Sequence, residues 1–125
     1  MDCVMPRFSY VAKPQSTAPV TPFASAEEAW FWFARCAKAR RDGARFAGGP
    51  ASWQRPCDPD DIRRTVLALY RRRAIGKIHV ATLVRFGTAE RPPDMRREDE
   101  YAFVAPWDEA LDRLAPPLKS KGIVA

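Results

Sequence analysis

The sequence predicts an all-α fold, with four to five helices forming a small bundle over residues 25–125. Two segments carry helix-start signals followed by apolar residues that recur every three or four positions, as on one face of a helix. Hydrophobic residues make up 46% of the chain, which is enough for such faces to pack into a core. One later segment also fits a strand, and it is weighed below in its place along the chain.

Residues 1–24 are predicted to form a flexible arm. Four of the twelve prolines of the chain lie in this stretch, among Ser, Thr, Gln and Lys. The segment from Lys13 to Pro22 shows neither the period of a strand nor that of a helix, which is typical of extended, mobile backbone. The chain is therefore expected to have two parts, the arm and a single helical domain over residues 25–125.

The first helix is predicted to begin after Ser25 and to end at Gly43. Ser25 is a suitable N-cap, and Glu28 stands three residues later, as in a capping box. Glycine is the residue that most often follows the end of a helix.

Four large aromatic residues follow one another at positions 30–33 of this helix. Trp30 and Phe33 fall on one face, whereas Phe31 and Trp32 point elsewhere. Three interpretations remain open. The helix is central, with neighbours on two sides, or Phe31 and Trp32 are exposed and form a partner-binding surface. The third is that a nucleic-acid base stacks on one of these rings, with Arg35 nearby.

The second helix follows a loop rich in Gly and Pro over residues 43–57. Asp58 suits the N-cap and Pro59 the first helical position, and the helix is expected to end near Arg73. Its apolar stripe consists of Ile62, Val66, Leu69 and Tyr70.

Residues 77–86 fit two patterns. Their alternating β-branched and aromatic residues fit a strand, and their apolar spacing also fits a helical face. A helix is favoured because Gly76 and Gly87 bracket about three turns and both neighbouring segments look helical. With the second helix, this segment has the outline of a helix-turn-helix.

A turn is predicted over residues 87–94, and a fourth helix is predicted to begin near Asp94. Pro106 is expected to kink this helix or to open a new one, and the pair Pro116 and Pro117 is expected to interrupt the helical pattern again. The predicted core consists of Trp30, Phe33, Ile62, Val66, Leu69, Tyr70, Ile78, Leu83, Phe86, Phe103, Trp107, Leu111 and Leu114.

The chain is basic, with 21 Lys and Arg against 15 Asp and Glu and a formal net charge of +6. The excess lies in the middle, because residues 58–91 carry +4 and residues 92–125 carry −2. If the ends of the first two helices lie together, their cations would form a patch suited to phosphates. The candidate nucleic-acid-binding residues are Arg64, Arg71, Arg72, Arg73, Lys77 and Arg85, with Arg40 and Arg41 at the end of the first helix.

The same charges have a second interpretation. Each basic cluster stands at the predicted C-terminus of a helix, and each acidic pair stands at a predicted N-terminus. This arrangement is favoured by the helix macrodipole without any ligand. Both interpretations remain open.

Enzymes are the least supported class. The chain has one histidine, His79, and three widely spaced cysteines, Cys3, Cys36 and Cys57, with no partner of suitable spacing for nucleophilic or zinc chemistry. We therefore predict no catalytic residue, no metal and no cofactor.

A cytoplasmic location is expected. The longest apolar run of the predicted domain, residues 29–34, is too short to cross a bilayer, so no membrane partner is predicted. The start of the chain lacks the pattern of a secretory signal, and the cysteines form no disulfide framework, which suits a reducing compartment.

Five strings resemble those of a group of short bacterial proteins to which no activity is assigned. They are EEAWFWF at 27–33, RPCDPDDI at 55–62, RPPD at 91–94, WDEALDRL at 107–114 and KGIV at 121–124. The resemblance covers about residues 25–124. It implies a bacterial protein whose unit begins near Ser25, and it implies no function.

These observations favour a small basic nucleic-acid-binding protein, a regulatory or accessory factor that contacts phosphates through its arginines. The alternative is an interaction or adaptor module that uses Phe31 and Trp32 of the first helix and has no catalytic activity. The expected partner is thus nucleic acid or another protein, and a homodimer stays open. The sequence does not separate DNA from RNA.

Overall fold

The computed structural model describes residues 21–43 and 57–125. This part of the chain is helical, with one short 3-10 helix at Tyr101–Phe103 and no strand, so the all-α prediction is confirmed. The predicted arm lies outside the described residues up to residue 20, as does the loop from 44 to 56. The four helices are α1 (Ala26–Arg41), α2 (Pro59–Arg71), α3 (Lys77–Ala89) and α4 (Val104–Ser120).

The first two helices begin where the sequence predicts. The hydroxyl of Ser25 accepts a hydrogen bond of 3.1 Å from the backbone N–H of Glu28, which caps α1. The carboxylate of Asp61 accepts one of 3.0 Å from the N–H of Asp58, as a capping box requires at the start of α2. Both helix starts are stabilised locally, because each capping hydrogen bond joins residues three positions apart.

The third segment is a helix, as favoured, but it runs past Gly87 to Ala89. The predicted turn over residues 87–94 therefore begins too early. Gly87 is buried inside α3 and lies against Trp30 of α1, so its smallness serves a contact between helices instead of a stop. The helix ends at Glu90, whose backbone takes the left-handed conformation with φ of 59°.

The fourth helix begins later than predicted, and the pair Pro116 and Pro117 does not interrupt it. It begins at Val104, and Asp94 instead accepts a hydrogen bond of 2.9 Å from the N–H of Arg96 within a turn. Pro116 and Pro117 lie inside the helix, which continues to Ser120. The carbonyls they leave without an amide partner belong to residues 112 and 113, which are exposed, so water can hydrate them.

The four helices share one core, in which most of the predicted residues are buried. Tyr70 and Ile78 are exceptions, with 37% and 49% of their surface exposed. Tyr70 stands in the last turn of α2, and Ile78 stands on the outer face of α3, so no other helix covers them. Phe33, Phe103 and Leu111 are half-buried against the core. Those buried as predicted are Trp30, Ile62, Val66, Leu69, Leu83, Phe86, Trp107 and Leu114.

The segment before α1 is joined to the end of the chain. Phe23, which the sequence assigns to the arm, is fully buried. Its N–H donates to the carbonyl of Ile123 at 2.9 Å, and its carbonyl accepts from the N–H of Ala125 at 2.9 Å. Gly122, with φ of 76°, turns the chain after α4 toward this bridge. The packed body thus includes Phe23.

No helix within residues 21–43 and 57–125 combines the length and the apolar character needed to cross a lipid bilayer.

Candidate nucleic-acid interface

The turn after α2 holds an arginine in a conformation that usually belongs to glycine. The N–H of Ala74 donates to the carbonyl of Leu69 at 2.9 Å, and that of Arg73 donates to the carbonyl of Tyr70 at 3.1 Å. These two bonds form a Schellman motif, with Arg73 in the left-handed position at φ of 65°. A β-carbon at this position costs on the order of 1 kcal/mol relative to glycine.

The start of α3 is held by its histidine. His79 accepts a hydrogen bond of 2.9 Å from the N–H of Gly76 at Nδ1, so the proton of the neutral ring lies on Nε2. Nε2 then donates to the carboxylate of Glu109 on α4, also at 2.9 Å. This places His79 as a tie between α3 and α4.

An open groove of about 630 Å³ lies between this turn and α4. Three of the predicted cations, Arg71, Arg73 and Lys77, line it, and Arg113 of α4 joins them. Its remaining walls are formed by Tyr70, Ala74, Ile75, Gly76 and His79. The groove therefore gathers four cationic side chains from α2, the turn, α3 and α4.

The four groove cations form no ion pair with a carboxylate in the part of the chain that the structure describes. Surface arginines elsewhere in the domain do pair, as Arg64 does with Asp61 at 3.2 Å. Glu109 is an acidic group beside the groove, through its bond to the groove residue His79. Among the described residues no carboxylate lines the groove itself, so the four cations favour a positive potential there.

Other predicted binding residues of α2 and α3 lie outside the groove. Arg64 is exposed on α2, and Arg72 is exposed at the C-cap of the same helix. Arg85 lies over two rings of the domain, 5.1 Å from the centre of Phe86 and 4.8 Å from that of Phe103. These residues can add contacts around the groove but do not form it.

The two basic clusters do not lie together, so the condition for a joint patch is not met. Arg40, at the end of α1, lies 3.7 Å from Asp60, in the first turn of α2. Asp60 and Arg71 are separated by about 16 Å along the axis of α2, at 1.5 Å per residue. The end of α1 therefore meets the start of α2, not its basic end. Arg41 lines a separate, smaller groove between α1 and α3.

The exposure of Phe31 and Trp32 that a partner-binding surface on α1 would require is not found. Trp32 is buried, and its ring centre lies 5.2 Å from that of Phe23. Phe31 is half-buried, with its ring centre 5.6 Å from that of Trp107 on α4. Both rings serve the core because α1 has neighbours on more than one side, which is one of the interpretations that the sequence left open.

The two cysteines of the described part are free thiols. Cys36 is buried and Cys57 half-buried. Burial raises the pKa of both thiols, and with the nearby charges of Asp61 and Asp58 that of Cys57 reaches about 11. Both groups are therefore protonated near neutral pH, which is unsuited to a nucleophile. Among the described residues, no group of three or more His, Cys, Asp or Glu side chains is placed so that it could hold a metal ion.

Sequence reasoning missed two groove residues. Tyr70 continues the apolar stripe of α2, so its exposure depends on where the helix ends and what covers that end. Arg113 belongs to a segment whose net charge is negative, and only the packing of α4 beside the turn brings it to the groove. No local pattern marks either residue.

No known protein family, curated protein or solved structure matches the chain. The resemblance to short bacterial proteins stays a prediction. The chemistry of the groove is therefore the basis for assigning a function.

Proposed function

We propose that the protein binds nucleic acid and contacts its phosphates through the groove at the α2–α3 turn. The observation that supports this most is the meeting of Arg71, Arg73, Lys77 and Arg113 around one open groove, with no ion-pair partner among the described residues. Arginine offers phosphate a planar, bidentate set of donors, and lysine offers a compact charge. Such cations, when they neutralise phosphates, release counterions and so drive binding.

The macrodipole explanation does not account for all of these cations. Arg71 stands in the last turn of α2, where a positive charge is favourable. Lys77, however, is the first residue of α3, where the dipole disfavours a cation, and Arg113 stands in the interior of α4. An anionic ligand in the groove would account for the positions of both.

The start of α3 adds to the same site. Gly76 and Lys77 line the groove, so the positive end of the α3 dipole lies at its wall. A phosphate in the groove would meet this end as well as the four side chains.

Little sequence preference is expected. The exposed face of α3 offers Lys77 and Arg85 as charged donors, with Ala81 and Val84 between them. Two donors cannot distinguish many base edges. We therefore infer contacts to the nucleic-acid backbone, which position the protein and do not read the base sequence. A helix-turn-helix that reads the major groove, and a role as a bacterial regulatory or accessory factor, remain predictions.

The test is a fluorescence-anisotropy titration of the full chain with mixed-sequence duplex and single-stranded probes at about 50 and 200 mM salt. Each lost phosphate contact should flatten the dependence of log K on log salt by about 0.9 for duplex and about 0.7 for single strand. The combined variant Arg71→Gln, Arg73→Gln and Lys77→Gln should therefore reduce the slope by about 2 to 3.

The matched control removes three positive charges elsewhere, with Arg63→Gln, Arg96→Gln and Lys119→Gln. None of these residues lines the groove. An equal loss in both variants would assign binding to net charge alone. Absence of binding by the unaltered chain at 50 mM salt would contradict the proposal, because electrostatic attraction is strongest there.

A further inference from the structure

We infer that the groove takes a single-stranded nucleic acid, with a base stacked on Tyr70 and the neighbouring phosphates held by the groove cations. This inference rests on the proposed function and specifies its ligand. It is supported by the exposure of Tyr70 at the groove, by the cations that line the same groove and by the small number of hydrogen-bond donors on the exposed face of α3.

Tyr70 lies at the boundary between the core and the groove. Leu69, the residue before it, is 2% exposed, whereas Tyr70 is 37% exposed and lines the groove. Its ring packs on no other aromatic ring, and its hydroxyl has no hydrogen-bond partner, within the described residues. Part of the Tyr70 side chain is therefore accessible from the groove.

The four cations line the same groove as this ring. Arg71 is the next residue in the chain and Arg73 the third after Tyr70, while Lys77 and Arg113 come from the start of α3 and from α4. Basic residues interleaved with an aromatic ring in one groove are the recognition pattern of single-stranded nucleic acid. In that pattern the ring takes a base, and the cations take the phosphates on either side of it.

A duplex fits this arrangement less well. Its bases are stacked on each other, so it can offer the groove phosphates but no free base face to Tyr70. Reading base edges from the major groove would instead require donors on the outer face of α3, where Ala81 and Val84 are exposed beside Lys77. A flexible strand can bend a base onto the ring and keep its phosphates near the cations.

The experiment compares four probes with the full chain at about 50 mM salt: a mixed-sequence single strand, the same strand without bases, a duplex of equal length, and a nucleoside monophosphate. The single strand should bind about tenfold tighter than the abasic strand, as expected for one stacked base. The monophosphate should bind more weakly than the strand, since it offers the cations one phosphate. Equal affinity for both would assign the groove to free nucleotides and overturn the inference.

The variants are Tyr70→Leu and Tyr70→Phe, each checked for an unchanged circular dichroism spectrum. Tyr70→Leu should lower affinity for the single strand about tenfold and leave the salt dependence and the abasic-strand affinity unchanged. Tyr70→Phe should retain the affinity, because the ring remains. Equal effects of Tyr70→Leu on all strands, or no effect on any, would overturn the stacking contact. Failure of every probe to bind would instead contradict the proposed function itself, so the two failures are distinct.

Discussion

Gly87 of α3 lies directly against the indole of Trp30 on α1. A β-carbon at position 87 would stand 2.8 Å from the indole nitrogen and 3.2 Å from the β-carbon of Ala34. The same indole nitrogen donates to the carbonyl of Leu83 at 2.8 Å in the buried interior. The missing side chain thus allows α1 and α3 to approach closely enough for a hydrogen bond from ring to backbone.

Gly87→Ala should therefore destabilise the domain, although alanine favours a helix by about 1 kcal/mol over glycine. We expect the overpacked contact to outweigh that gain and to lower the free energy of unfolding by about 1–3 kcal/mol. Urea denaturation of the full chain measures it. Thr88→Ala, at the neighbouring exposed position, is the control and should change stability little. A more stable Gly87→Ala variant would show that the two helices can separate without cost.

Arg73, whose backbone takes the left-handed conformation, is predicted to affect stability and binding in opposite directions when it is replaced by glycine. Arg73→Gly should raise the free energy of unfolding by about 0.5–1 kcal/mol, since glycine adopts φ of 65° without steric cost. It should also weaken binding to a single strand by removing one groove cation. Urea denaturation and anisotropy titration measure the two effects on one preparation.

The control for this prediction is Arg72→Gly. Arg72 has a φ of −90°, where glycine brings no conformational relief, and it does not line the groove. This variant should lose stability slightly and keep most of its affinity. If Arg73→Gly also loses stability, the side chain of Arg73 contributes to the fold and not only to the groove.

The helix starts could be predicted because their signals are local. Ser25 and Asp58 bond to residues three positions away, so the capping pattern is visible in the sequence. Gly87 and Pro116 were misread for the same reason, since glycine and proline are local breaking signals. Gly87 lies inside α3 because α1 packs closely against it. Pro116 is tolerated inside α4 because the carbonyl that it leaves without an amide partner is at an exposed residue.

Part of the candidate site could be predicted, and part required the fold. Arg71, Arg73 and Lys77 are close in sequence, so any turn near residue 74 brings them to one end of α2. Phe23 and Arg113 acquire their roles through contacts with residues more than thirty positions away. Side-chain spacing contains no information about such distant pairings.

An ion pair between the exposed Arg91 and the buried Glu100, before α4, predicts loss of stability in acid. The side chain of Glu100 is 3% exposed and accepts two hydrogen bonds from the guanidinium of Arg91, at 2.8 and 2.5 Å. The side-chain bond to Arg91, with a further bond from the N–H of Asp94, lowers the pKa of Glu100 from 4.5 to about 2.

Since this pKa is lower in the folded state than in the unfolded state, the ionised carboxylate stabilises the domain above the unfolded value. That contribution should disappear as the pH falls from about 5 to about 2, in the range between the two pKa values. Glu100→Gln should be less stable than the unaltered chain at pH 7, and the difference should shrink through this range.

Urea denaturation at several pH values between 2 and 7 tests this dependence. Glu98→Gln is the control, because Glu98 is exposed and forms no ion pair among the residues the structure describes. A difference between Glu100→Gln and the unaltered chain that stays constant across the range would contradict the ionic role of Glu100. Asp94, whose pKa is lowered chiefly by its bond from the N–H of Arg96, adds to the acid sensitivity of both proteins.

Glu109 supplies the last prediction, because it is the carboxylate that meets a groove residue. It accepts from Nε2 of His79 at 2.9 Å, and the oxygen of a glutamine can accept the same hydrogen bond. Glu109→Gln should thus keep the tie between α3 and α4 while removing one negative charge beside the groove. We expect affinity for a single strand to rise about twofold at 50 mM salt, as for one charge several ångströms from a phosphate in water, and the gain to shrink at 200 mM salt.

Asp108→Asn makes the same change in net charge one residue earlier, at a side chain that lines a different groove near the start of α1. Its effect on affinity should be smaller, because Asp108 does not line the groove at the α2–α3 turn and its side chain forms no ion pair with a groove residue in the described part of the chain. Equal gains from the two variants would mean that the overall charge of the domain, and not the groove at the α2–α3 turn, attracts the strand. A gain confined to Glu109→Gln would place the bound phosphates where His79 of α3 and Arg113 of α4 line the groove.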